Sequence, residues 1–230
     1  MNKSWLVVWA LSSAGAALAQ DPGISVSVGA RAWYAQWTTF SYIRDEFGNR
    51  ALIQVSAADK LVALPVVSAR YGNFVGSIGG MAETQLTFAD GSSGTRQEFD
   101  VNLGYTVMPG LTLSLGYKQL SQGGNAGVYR PSGPVAGLSA NAPLDGAFSF
   151  YGALGVGRLQ TPSGDDIQFT ADYRLTELGL AYTLNTNGLP KRWIFTGGYR
   201  MQVLGSKQAL GSQDGRDTTQ GFTFGVIATF

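Results

Sequence analysis

The chain has 230 residues with 16 basic and 15 acidic side chains, no histidine and no cysteine. That balance speaks against a nucleic-acid or polyanion surface, and the lack of cysteine excludes a disulfide framework. Charged residues make up 13%, about half the share usual in a soluble domain, so something other than a charged exterior must keep the protein dispersed.

The first element is a leader. Lys3 precedes an apolar run through Trp5, Leu6, Val7, Val8, Trp9, Ala10 and Leu11, and Ala17-Leu18-Ala19 closes it. A basic start, a short apolar core and an A-x-A site predict a secretory signal peptide over 1–19, cleaved after Ala19. The run is too short for a spanning helix, which needs about 20 apolar residues. Removing Lys3 leaves 15 bases and 15 acids in residues 20–230. No later window holds enough consecutive apolar residues for a transmembrane helix.

Beyond the leader the chain alternates. Ile24, Val26, Val28, Ala30, Ala32 and Tyr34 share one parity, with Ser25, Ser27, Gly29, Arg31 and Trp33 on the other. The same period of two returns around Phe99 to Val107, Leu111 to Tyr117, Phe148 to Val156, Trp193 to Val203 and Phe222 to Phe230. Such segments, separated by turn residues, predict a membrane β-barrel. A soluble sandwich also alternates, but its water-facing parity carries charge. Here the charges share their parity with many glycines and serines, which suits the inside of a narrow tube.

The predicted strands are 24–40, 60–70, 73–88, 96–107, 111–121, 128–140, 146–158, 167–184, 191–205 and 217–230. Tight turns at 71–73, 108–110, 141–145 and 185–190 define one rim. Longer connections, chiefly 41–59 and 206–216, define the other, as in a barrel with both termini in the periplasm. The sixth strand contains Pro131 and Pro134, which cannot donate ladder hydrogen bonds. It is kept because single-chain bacterial barrels have even strand numbers; eight strands is the alternative. In the eighth strand, Phe169, Ala171, Tyr173 and Leu175 are expected to face out, then Leu178, Leu180, Tyr182 and Leu184, with a β-bulge near Thr176-Glu177 restoring the phase.

The leader, the alternation and the final strand with Phe222, Phe224, Val226, Ala228 and Phe230 on one parity together resemble small Gram-negative outer-membrane β-barrels. The resemblance implies an all-β, transmembrane, antiparallel up-and-down barrel in the bacterial outer membrane, with lipid as the partner of its apolar face. It also implies that the terminal aromatic strand is read by the barrel-assembly machinery.

The inward parity is expected to carry Arg31, Arg70, Glu83, Glu98, Asp100, Lys118, Asp172, Arg174, Glu177 and Arg200. Five bases against five acids favour a lumen filled by ion pairs over a selective pore, which usually shows one sign. Barrels of eight to ten strands have interiors that side chains nearly fill. Trp33 and Trp37 fit either an aromatic girdle or a plug, whereas Tyr34, Phe40, Tyr42, Trp193 and Phe230 fit a girdle.

The enzymes of small outer-membrane barrels depend on a histidine base, and this chain has none, so the expectation is that it is not an enzyme. Glu98 with Asp100, and Asp165 with Asp166, read as an ion-paired wall and a solvated turn. Without Cys or His no zinc or copper site is expected, and no cofactor. Two functions stay open: a structural or surface-interaction barrel acting through its loops on an extracellular partner that the sequence does not name, or a small channel for polar or apolar solutes.

Overall fold

The computed structural model describes residues 23–44, 50–89, 91–124, 127–165, 168–206 and 215–230. The leader expected at 1–19 lies outside them, as do the side chains of Phe40 and Tyr42 and residue Asp166. The strands are β1 (Ile24–Arg44), β2 (Arg50–Ser56), β3 (Lys60–Tyr71), β4 (Phe74–Thr87), β5 (Ser93–Met108), β6 (Leu111–Gly124), β7 (Gly127–Tyr129), β8 (Ser132–Pro143), β9 (Phe148–Gln160), β10 (Thr170–Asn185), β11 (Arg192–Ser206) and β12 (Gly215–Thr229).

Ten of these make a closed antiparallel wall. β1 pairs with β3 from Ile24↔Tyr71 to Ala35↔Lys60 on one side, and with β12 from Ser27↔Thr229 to Thr38↔Thr218 on the other. Val26 and Phe230 exchange backbone hydrogen bonds at 2.8 and 3.4 Å, completing the seam. Hydrocarbon offers a backbone no partner, so closure is the condition for a sheet to sit in it. β2 and β7 are not wall strands; they fold back on the far ends of β1 and β6. The wall thus has the ten strands expected rather than eight. Pro131 falls between β7 and β8, and beside Pro134 the β8–β9 ladder skips from Ser132↔Gln160 to Val135↔Gly157, as a residue without an N–H requires.

Tight turns join β3 to β4, β5 to β6, β8 to β9 and β10 to β11 at one end, the turn rim, where both described termini also lie. Gly110 takes a φ of 79° in one of them, a conformation that side-chain-bearing residues rarely hold. The opposite end is the loop rim.

The expected bulge in the eighth strand does not exist. β10 runs in unbroken register with both neighbours from Ala171 to Tyr182. Its whole odd parity faces in, so Ala171, Tyr173 and Leu175 are buried inside the barrel and not turned to lipid. The phase slip read from hydrophobicity is a change of surroundings, not of backbone. The irregularities fall instead between Met81 and Thr84 in β4, after Gly79-Gly80, and between Thr106 and Met108 in β5.

The outer face is apolar over its middle. Leu103, Leu115, Val156, Leu178, Leu180, Phe222 and Phe224 all stand exposed on it. Aromatic pairs mark the turn-rim edge, with Phe74 against Tyr105 at 5.2 Å and Phe148 against Tyr182 at 5.1 Å. Tyr199 and Phe222, 5.3 Å apart, stand nearer the loop rim. Rings with a wet tip collect at such interfaces. β5 and β10 have 16 residues each, against the roughly 9–11 that cross a bilayer core, so the wall continues past the lipid on the loop side. Trp33 and Trp37 are plugs and not girdle residues; both are buried inside.

A close approach in the wall explains two glycines. The Tyr151 ring lies flat on Gly179 of β10 and Gly198 of β11, and a Cβ on Gly198 would meet the Tyr151 hydroxyl and the Leu178 carbonyl oxygen, each at 2.5 Å. Gly198→Ala is therefore expected to destabilise the barrel by about 1–3 kcal/mol. Gly76→Ala, on the outer face with nothing within 4 Å, should be nearly neutral. The temperature at which the folded electrophoretic band is lost would measure both.

Candidate functional site in the barrel lumen

Going from the turn rim inward, the buried lining mixes Ser68, Ser77, Asn102, Thr112, Ser149 and Thr223 with Val66, Val75, Ile194 and Ile227. Going toward the loop rim, the lumen fills. Trp33 on β1, Met81 on β4, Leu120 on β6, Tyr151 and Leu159 on β9, and Tyr173 on β10 are almost wholly shielded. One apolar cluster joins Leu120, Val135, Leu159, Tyr173, Leu175 and Leu204; another joins Trp33, Ala35, Val62, Leu64 and Met81. Between these clusters lies a continuous polar network.

Glu98 on β5 is its hub. Lys118 Nζ on β6 donates to Glu98 Oε2 at 2.7 Å and to Asp100 Oδ1 at 2.9 Å. Arg96 Nε donates to Glu98 Oε1 at 3.0 Å, and Gln202 Nε2 on β11 donates to the same oxygen at 2.7 Å. In the ring of ten, β5 and β11 are five places apart in either direction. The Gln202–Glu98 bond therefore joins opposite walls of the barrel across the lumen.

From there the network branches. Arg200 donates to Gln202 Oε1 at 3.4 Å and to Glu177 Oε2 at 3.1 Å, and Arg31 completes the pair with Glu177. The Tyr151 hydroxyl donates to Glu177 Oε1 at 3.3 Å. Toward the loop rim, Arg96 Nη1 donates to Asp217 Oδ1 at 2.9 Å, while Trp37 Nε1 and Gln122 Nε2 donate to Asp217 Oδ2 at 2.6 and 3.1 Å. Aromatic faces cover the cations: Arg200 lies 5.1 Å from the Trp33 ring, Lys118 5.2 Å from Tyr173 and Arg96 5.5 Å from Trp37. Four cations (Arg31, Arg96, Lys118, Arg200) thus face four carboxylates (Glu98, Asp100, Glu177, Asp217). Burial of charge on this scale is sustained only when each group is paired and hydrogen-bonded.

The structure sorts the expected lumen residues into three groups. Arg31, Glu98, Asp100, Lys118, Glu177 and Arg200 come together in the network. Arg70 points inward but sits apart near the turn rim, 3.4 Å from Thr106 Oγ1. Glu83, Asp172 and Arg174 are not in the lumen; all three are exposed on the outer face. For Glu83 the cause is the bulge between Met81 and Thr84, which reverses the facing of β4 beyond it. For Asp172 and Arg174 it is the uninterrupted register of β10, whose even parity faces out throughout.

Sequence reasoning missed Arg96, Gln202 and Asp217. Their signal was available, because Arg96 shares the parity of Glu98, Gln202 that of Arg200, and Asp217 that of Thr219 and Thr223. Asp165, expected in a solvated turn, is instead a buried clamp on Arg130, taking Arg130 Nε at 3.0 Å and Nη2 at 2.7 Å on one oxygen. Among the described residues no group of three or more His, Cys, Asp or Glu side chains is disposed to hold a metal ion.

No protein-family model matches the chain, and no curated protein matches it by sequence. Solved structures do. The outer membrane protease OmpT of Escherichia coli superposes with a TM-score of 0.50 at 13% identity, over 90% of this chain and 96% of that one. The chain has the fold of a Gram-negative outer-membrane β-barrel. Neisserial surface protein A (NspA) aligns over 90% of this chain and 99% of that one, at 13% identity and a TM-score of 0.39. A Pseudomonas aeruginosa FadL homologue aligns over 90% of each chain, at 10% identity and a TM-score of 0.37. The apolar girdle and the closed wall place this barrel in the outer membrane. The first of these neighbours corrects one expectation: a barrel of this architecture includes a protease, so the fold gives no ground for excluding an enzyme, and identity this low assigns no activity either.

Removing one partner from the hub exposes its dependence on pairing. Lys118→Met would leave Glu98 and Asp100 facing each other with one fewer cation, and is expected to cost about 3–5 kcal/mol. Adding Asp100→Asn to it should recover part of that loss. Urea unfolding in micelles, followed by tryptophan fluorescence, would measure both; a single variant as stable as the parent contradicts the pairing.

Proposed function

We propose that this protein acts as a sealed outer-membrane barrel whose activity lies at its loop rim, as a structural or surface-interaction protein, and not as a passage for solutes. The observation that carries the reading is the Gln202–Glu98 hydrogen bond across the diameter, backed by Trp33, Tyr151 and Tyr173. Opening that level would separate several charge-assisted hydrogen bonds at once, each stronger than a neutral one. The equal numbers of cations and carboxylates offer no single-sign filter to a permeating ion.

The loop rim also has features that suit a presented surface. The wall extends beyond the lipid there, and the β1–β2 hairpin reaches further still. Its base is stiffened by Trp37, Val55, Ala57, Leu86 and Phe88, with the Trp37 and Phe88 rings 5.0 Å apart. Loops held on a rigid scaffold are where recognition usually resides.

Refolded protein in a planar lipid bilayer is expected to give no conductance steps above the bare membrane; discrete ohmic steps from the unaltered barrel would return the channel reading. In parallel, cells displaying the barrel with residues 45–49 and 207–214 replaced by glycine–serine of equal length should adhere to protein-coated surfaces no better than cells lacking it. Undiminished adhesion at equal surface level would remove the interaction role.

A further inference from the structure

Among the described residues, three exposed arginines of the wall strands, Arg158, Arg174 and Arg216, lie beyond the lipid band on one side of the barrel. Across β9, β10, β11 and β12 the register sets Arg158, Asp172, Gly205 and Arg216 in one row, with Arg174 and Val203 in the row beneath. Two rows further toward the lipid come Leu178, Tyr199 and Phe222. Arg174 thus shares its row with the apolar Val156 and Val203, four residues along the strand from the row of Tyr199 and Phe222, and Arg158 and Arg216 stand one outward row beyond Arg174. Arg158, Arg174 and Arg216 are all exposed. Neither they nor Asp172 makes an ion pair or side-chain hydrogen bond among the described residues.

At the same level the opposite wall is different. Its outward side chains include Glu83 and Gln85 on β4 and Gln119 on β6. The cation there, Lys60, is already engaged by the Gln85 carbonyl. Because Gly205 lacks a side chain between Arg174 and Arg216, the basic face is also concave. A cavity of about 410 Å³ opens on it, lined by Met201 and Val203, by those two arginines and by Asp172.

We propose that this face is a binding site for a phosphorylated lipid of the outer leaflet, with Arg174 and Arg216 holding a lipid-borne phosphate while Met201, Val203, Tyr199 and Phe222 take the start of an acyl chain. The position commits the occupant to a lipid. A phosphate held by Arg174 stands beside the outward Val156 and Val203, where the apolar face begins, and its chains then run down the band formed by Leu178 and Phe222. Arginine suits the role, because its planar fork offers two parallel N–H donors to a phosphate where lysine offers a point charge. Asp172 sits between Arg158 and Arg216 and sets the net charge of the row at one positive, which Arg174 beneath it raises. The apolar lining separates this face from a general basic patch, since a soluble anion gains nothing from Met201 or Val203.

The test uses the purified full barrel in a neutral detergent and native mass spectrometry with three probes: diphosphoryl lipid A, its fully dephosphorylated form, and inorganic phosphate. The parent should retain diphosphoryl lipid A. The double variant Arg174→Gln/Arg216→Gln should bind it at least about tenfold more weakly, the loss expected for charge-assisted contacts of this kind. Lys60→Gln, on the opposite wall, should bind like the parent. Both variants lie outside the packed interior, and retention of the compact electrophoretic form checks that they fold. Equal binding by the double variant overturns the site. Equal weakening by Lys60→Gln shows unspecific attraction and does the same. Inorganic phosphate binding as tightly as the lipid, or undiminished binding of the dephosphorylated form, overturns the assignment of a lipid-borne phosphate.

Discussion

A backbone in hydrocarbon must satisfy its own hydrogen bonds, and every other feature of this molecule follows from how it does so. The seam between β1 and β12 removes the two edges that an open sheet would present to lipid. Ten strands take part in the closed ring, and β2 and β7 are outgrowths of β1 and β6. The seam also fixes which residues meet inside. Glu98 and Gln202 are 104 positions apart in sequence and become partners because closure sets β5 opposite β11.

Once the tube is narrow, its interior has to be filled, and this barrel fills its two ends differently. Near the turn rim, short serine, threonine and asparagine side chains stand among Val66, Val75, Ile194 and Ile227. Near the loop rim, aromatic and aliphatic side chains pack against the wall and press the ionised groups into a single network. The two kinds of filling support each other. The rings of Trp33, Trp37 and Tyr173 cover cations that carboxylates hold on their other sides, so desolvation is offset from two directions. The glycines beneath Tyr151 are the complement of that ring, showing how the wall accommodates what the lumen contains.

A third consequence concerns the boundary along each strand where lipid ends and water begins. Below it, apolar side chains face out and polar ones face in. Above it, the wall still has a packed interior but its exterior meets water, so the sense of the alternation reverses without any change in the backbone. β10 shows this plainly. Leu178 and Leu180 face lipid on even positions, and Asp172 and Arg174, also even, face water. A hydrophobicity pattern alone represents that reversal as a missing or extra residue, which is why a bulge was expected where the register is continuous.

The ten wall strands, the tight-turn rim and the six charged side chains of the network named above were legible in the sequence, because a period of two is a local property and survives any tertiary arrangement; β2, within 41–59, was not. Arg96, Gln202 and Asp217 were legible in the same way, by parity with their neighbours. Three further things were not. The bulge in β4 sits among small residues and leaves no hydrophobic signature, so local parity puts Glu83 on the wrong face. The change of surroundings along β10 depends on where the membrane ends, which no local pattern records. The pairing of Glu98 with Gln202 across the lumen depends on a diameter set by all ten ladders together. Local alternation determined that there would be a barrel; which side chains meet across it was decided only when the last strand found the first.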